Sequence, residues 1–115
     1  MRNYRSDPAQ GTRFTVLDKA SGKVVSVATG PACFGFHHVD AHESDGCLCV
    51  DLPAYPGAAI VERLRLDRLR SEEPLDAVAR LTRFRLPLRE PAGRATAEVM
   101  CEVPIELPRT DERRR

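Results

Sequence analysis

The sequence predicts an all-β chain, folded as an antiparallel meander, and three observations carry that prediction. Apolar and polar residues alternate with the period of two that a half-buried strand needs, most clearly in Leu81-Thr82-Arg83-Phe84-Arg85-Leu86. Turn residues punctuate the chain at short intervals, as Asp18-Lys19-Ala20-Ser21-Gly22, Gly30-Pro31 and Glu43-Ser44-Asp45-Gly46. The apolar residues of 60–69 fit neither the strand period nor the helical one cleanly, and that stretch is short.

Thr12-Arg13-Phe14-Thr15-Val16-Leu17 is rich in β-branched and aromatic residues and predicts the first strand. Asp18 to Gly22 supplies a turn, and 23–29 returns as the second strand of a hairpin before Gly30-Pro31 breaks it. A third strand is predicted over 34–41, with Phe34, Phe36, His38 and Asp40 on one face and Gly35, His37, Val39 and Ala41 on the other. After the turn at 43–46, Cys47-Leu48-Cys49-Val50-Asp51-Leu52 predicts a fourth strand that Pro53 stops, so the first half reads as two consecutive hairpins of one meander. Residues 53–59 form a Pro/Gly/Ala loop, 60–69 a short irregular or helical connection, and 72–79 one or two helical turns limited by Pro74. The strand over 81–86 ends at Pro87, and 94–101 predicts a further strand that leads into 102–108. The tail, 110–115, is charged and is expected to fray.

At 115 residues the chain is one domain or part of a larger one. Lys+Arg is 18 and Asp+Glu is 17, a net charge of +1, which gives no broad attraction to nucleic acid or to an anionic membrane. No apolar run approaches the roughly 18 residues of a membrane span. The start, Met1-Arg2-Asn3-Tyr4-Arg5-Ser6-Asp7-Pro8, lacks the apolar stretch of a secretory signal, so the expected compartment is the cytoplasm. All the basic residues but Lys19 and Lys23 are Arg, the usage of a GC-rich, bacterial genome. The Arg-rich stretch from Arg63 to Arg94 has only Phe84 as an interleaved aromatic residue, and reads as a solvated face with intrachain pairing rather than an RNA-stacking surface.

Candidate chemistry gathers at His37, His38 and His42. Neutral imidazole is the commonest protein ligand for transition metals. On a regular strand His37 and His38 point to opposite faces, and His38 and His42 lie about 13 Å apart by strand rise. The stretch therefore offers one ligand to a given site, and a histidine merely bonded to backbone is the plain alternative. Cys33, His37, Cys47 and Cys49 are a second candidate set, for zinc, but Cys47 and Cys49 have one residue between them where structural zinc sites use wider Cys pairs. Asp40 and Glu43 lie near the histidines as a base or as carboxylates behind a ligand, or are simply solvated. Neither a Gly-x-Ser-x-Gly elbow nor a phosphate-binding Gly-rich loop occurs.

Phe34-Gly35-Phe36-His37-His38-Val39-Asp40-Ala41-His42-Glu43, with the acidic turn Ser44-Asp45-Gly46 and the strand end Val50-Asp51-Leu52, resembles the carotenoid cleavage oxygenase family. Asp40 stands where the family has Asn, and His42 where it has an aromatic residue. Asn3-Tyr4 through Phe14, Leu64-Arg65-Leu66-Asp67-Arg68-Leu69-Arg70, Leu81-Thr82-Arg83-Phe84-Arg85-Leu86-Pro87-Leu88 and Ile105-Glu106-Leu107-Pro108-Arg109 resemble further family segments in the same order. The resemblance implies a partial β-propeller, about one and a half blades of a seven-bladed propeller, over 1–109. It implies an iron(II) ion held by four histidines from different blades, with carboxylates behind them, and a carotenoid or apocarotenoid substrate whose conjugated carbon–carbon double bond is cleaved with dioxygen. It assigns His37 as the iron ligand of this stretch, and no glutamate behind it is placed from sequence. The chain is expected to be an internal fragment of such an enzyme and inactive alone. A non-catalytic remnant, or a small β module acting by protein association, is the alternative, and a small zinc-binding domain the second.

Overall fold

The computed structural model describes residues 6–71, 78–89 and 92–109. Over them the chain is all-β, with strands in two sheets, a 3-10 turn at Pro8–Gln10 and two short α-helices. The first hairpin joins β1 (Thr12–Leu17) to β2 (Val24–Gly30), in register from Thr12 opposite Gly30 to Val16 opposite Ser26, with a bulge before Leu17 pairs Val24. Its turn closes on Asp18, whose carboxylate accepts the Ser21 backbone N–H at 2.8 Å and the Ser21 hydroxyl at 2.6 Å. Those bonds hold the Asp18 carboxyl below its ordinary range.

The second hairpin joins β3 (Asp40–Ser44) to β4 (Cys47–Ala54). Its two-residue turn needs positive φ at both positions, and Asp45 (52°) and Gly46 (75°) supply it. The turn is thus tighter than the predicted 43–46. After β4 come α1 (Ala59–Arg63) and α2 (Leu66–Leu69), in keeping with the expected helical connection. Then follow β5 (Arg80–Pro87), β6 (Ala92–Arg94) and β7 (Thr96–Pro104). The helical turns expected at 72–79 fall largely, and the tail at 110–115 wholly, outside the described residues.

Five sequence expectations are corrected. The two hairpins do not share a meander: β1 and β2 lie in one sheet with β6, whereas the other sheet runs β3-β4-β5-β7. Only the second sheet is antiparallel throughout, because β6 pairs parallel to β2, with Val27 opposite Ala92. Arg94 belongs to β6, and the predicted strand at 94–101 starts at Thr96 and runs on to Pro104. The third strand begins at Asp40 rather than at residue 34, and β4 passes through Pro53 instead of stopping there.

The last two corrections have one physical cause. Val39 N–H donates to Asp51 O at 2.8 Å, and Phe34 and Tyr55 exchange backbone bonds at 3.0 and 2.8 Å. By the strand period, Asp51, Pro53 and Tyr55 turn their backbone groups to this same edge of β4. Pro53 has no N–H to offer there. The ladder therefore skips the stretch opposite it, and residues 35–39 cross the gap without strand pairing.

The main core lies between the sheets. Ala28, Val50, Leu52, Phe84, Leu86 and Ala95 are buried there, and the Phe14 ring packs on Phe84 at 5.0 Å. The sheets are also stitched through the backbone. Ser26 Oγ donates to Pro87 O at 3.0 Å, and Ala95 N–H donates to Thr29 O at 3.0 Å. A second cluster, Tyr55, Ile60, Val61 and Ala79, forms under α1 and takes in Phe34. The far face of the four-stranded sheet is polar. Asp51 is 8% exposed and accepts two bonds from Arg83, at 2.8 and 2.7 Å. That carboxylate pushes the Arg83 guanidinium above its ordinary range. Arg80 pairs with Glu102 at 2.9 Å, and Arg65 with Asp67 at 3.3 Å, so these arginines are paired within the chain as expected.

Candidate functional site

The gap opposite Pro53 holds the histidine doublet. Its segment is pinned at one end by the Phe34–Tyr55 bridge and at the other by Val39 on Asp51. Between the pins, Gly35 runs close to the core, and a Cβ built on it would lie 2.8 Å from Leu52 Cδ1. Phe36 then stands edge-on to Phe34 and Tyr55, with ring centroids 4.9 and 5.9 Å away. His37 follows, exposed, 6.4 Å from the Phe36 ring. Because residues 35–39 form no regular strand, the alternation of faces argued from sequence does not describe this doublet.

His37 meets a carboxylate from the far end of the chain. Its Nε2 lies 3.9 Å from Glu106 Oε1, within ion-pair reach and too long for a hydrogen bond. Glu106 is brought there because Ile105, just past β7, donates its N–H to Ala79 O at 3.1 Å, at the foot of β5. The other carboxylate oxygen, Oε2, accepts the Tyr55 hydroxyl at 2.5 Å. Tyr55 is 7% exposed, and its burial, then the bond to Glu106 and that group's charge, push its phenol up to about 12. Tyr55 is therefore a protonated donor at neutral pH.

The remaining sequence candidates are dispersed. His38 is exposed, and His42 lies on β3 opposite Cys49. Asp40 is half-buried opposite Asp51, and Glu43 is exposed opposite Leu48. Cys33 Sγ lies 3.4 Å from Thr12 Oγ1, and the buried Cys49 accepts from Arg85 at 3.5 Å. Among the described residues no three His, Cys, Asp or Glu side chains come together to hold a metal. The Cys33, His37, Cys47 and Cys49 set considered for zinc is thus not assembled. Conversely, sequence reasoning missed Glu106 and Tyr55. The Ile-Glu-Leu-Pro stretch around Glu106 was a visible signal, but nothing local ties it to His37.

Comparison with known proteins places the chain in a family. The family model described as retinal pigment epithelial membrane protein matches residues 1–115. The chain belongs to this family. It is 37% identical over 87 residues to carotenoid cleavage dioxygenase 8 homolog A, chloroplastic, of Oryza sativa subsp. japonica, a match covering 70% of the chain and 16% of the relative. It is 36% identical over 74 residues to the mitochondrial carotenoid-cleaving dioxygenase of Macaca fascicularis, covering 63% of the chain and 13% of the relative. The rice homolog B is 34% identical over 87 residues, covering 68% and 15%. The family thus includes carotenoid-cleaving dioxygenases, and the chain spans about one sixth or less of the relatives' length. No helix among the described residues is long and apolar enough to cross a membrane.

Proposed function

We propose that this chain is a segment of a non-haem iron(II) oxygenase that cleaves a conjugated carbon–carbon double bond of a carotenoid or apocarotenoid, and that His37 is one of the iron's imidazole ligands. The observation that carries this reading is the meeting of His37 and Glu106, which come from separated segments of a chain in a carotenoid-cleaving family. The donor chemistry fits the metal. A metal-bound imidazole keeps one nitrogen for the ion and gives the N–H of the other to a carboxylate or carbonyl, which fixes ring and tautomer. Glu106 Oε1, 3.9 Å from His37 Nε2, lies on that side of the ring, and a closer approach would give it that second role. The remaining ligands come from outside the described residues, since one imidazole holds no iron usefully. When bound, the iron supplies activation of dioxygen for the cleavage. The chain's own residues orient and shield: Glu106 would align the imidazole, and Phe34 and Phe36 give an apolar flank that suits a polyene.

In this reading the sheet β3-β4-β5-β7 is one propeller blade, and β1-β2-β6 is part of its neighbour. The test compares His37→Ala with His38→Ala in the longer oxygenase that carries this segment, with iron content and cleavage product measured together. His37→Ala is expected to lose both, and His38→Ala to keep its iron and some turnover. Full iron in His37→Ala, or its loss from His38→Ala alone, refutes the assignment. A second reading, a β module acting by association, draws on β7, an edge strand that exposes Val99, Met100 and Val103. It requires the 115-residue chain itself to form a defined oligomer in sedimentation.

A further inference from the structure

Tyr55 is held at both ends. Its backbone exchanges two bonds with Phe34, the residue from which the His37 segment departs, at 2.8 and 3.0 Å. Its hydroxyl holds Glu106 Oε2 at 2.5 Å. Glu106 needs such a hold, because its side chain is 32% exposed and it lies beyond the end of β7. The other oxygen, Oε1, accepts Leu107 N–H at 3.3 Å and faces His37 at 3.9 Å. Leu107 itself adopts φ 52°, a conformation that non-glycine residues avoid.

A carboxylate turns easily about its last bond, and its two oxygens are chemically alike. Whichever oxygen is occupied decides which one is left for a neighbour. We propose that Tyr55 is a positioning residue for the metal site: by occupying Oε2 it turns Oε1 of Glu106 toward His37 and so sets how the imidazole is presented. This rests on the reading of His37 as a ligand. Tyr55 touches neither metal nor substrate in this role, and it acts only through Glu106. Phenylalanine would keep the aromatic packing with Phe36 and Ile60's cluster and lose only the donor.

The test is iron(II) release to excess chelator from the iron-loaded oxygenase carrying this chain, in wild type, Tyr55→Phe, Glu106→Gln, the double variant and His37→Ala. Loss of a group behind a metal ligand costs roughly 10–100-fold in affinity. Tyr55→Phe is expected to weaken iron retention about tenfold, near the low end of that range. Glu106→Gln should weaken it at least as much, and the double variant no more than Glu106→Gln alone, because both changes break one chain of contacts. A merely structural tyrosine would multiply with Glu106→Gln instead. Wild-type retention in Tyr55→Phe, or multiplied effects in the double variant, overturns the inference. If His37→Ala keeps its iron, the ligand reading itself has failed, and that arm tells the two failures apart.

Discussion

Replacing Arg83 by Met strands a buried carboxylate, and the cost can be worked from the sheet. Arg83 holds Asp51 with two bonds at 2.8 and 2.7 Å, and the two side chains are 23% and 11% exposed. Surface pairs contribute about 0–1 kcal/mol, whereas breaking a fully buried pair costs about 3–5 kcal/mol. This pair lies between, nearer the buried limit on the Asp51 side, so Arg83→Met should cost about 2–4 kcal/mol. For a chain of this length that lowers the thermal midpoint by roughly 8–16 °C. Replacing both partners, Asp51→Leu with Arg83→Met, removes the stranded charge and should recover most of the loss. Urea unfolding of the wild-type, single and double variants measures each term. If the double variant is as unstable as Arg83→Met, or the single loses under about 1 kcal/mol, the pair is not acting as a desolvated charge couple. The site depends on this joint, because the Asp51 carbonyl carries the Val39 pin of the His37 segment.

Three further outcomes follow from the same geometry. Tyr55, with its phenol pushed from 10.0 to about 12, contributes stability that is fully present below pH 10 and lost as pH rises through about 12. That loss is about 2–3 kcal/mol, and unfolding at stepped pH in a Tyr4→Phe background should show it alongside the 295 nm ionisation of Tyr55; ionisation at pH 10 without loss of stability contradicts the buried bond. Gly35→Ala, whose Cβ meets Leu52 Cδ1 at 2.8 Å, should destabilise the chain by about 1–3 kcal/mol, as overpacking does, and an unchanged urea midpoint rules that crowding out. The purified 115-residue chain should retain no stoichiometric iron(II) or zinc after dialysis, and metal analysis finding one tightly held ion per chain would reverse this.

Strand content was legible where residues speak for themselves. Thr82, Phe84 and Leu86 alternate with Leu81, Arg83 and Arg85, and the structure buries the first set. The turn at Asp18 likewise needs nothing beyond a short carboxylate and a serine three residues on. Partnership was not legible. β6 is three residues, Ala92–Arg94, with no apolar face to announce it, and it pairs parallel to a strand far earlier in the chain. Period and propensity act within a strand, whereas sheet assignment depends on which faces meet across the core.

The site shows the same division more sharply. His37 stands out in sequence because of its chemistry, yet its setting comes from what Pro53 withholds on a neighbouring strand. A regular strand through 34–41 would have been paired along its whole length and would have presented alternate side chains to opposite faces. The missing donor at Pro53 interrupts that ladder, and the freed residues bring Phe36 onto Tyr55 and His37 toward Glu106. Glu106 in turn is carried in by the end of β7, whose own register depends on β5. An imidazole and its carboxylate thus meet only when three strands are in register, which couples the candidate ligand's geometry to the integrity of the whole four-stranded sheet.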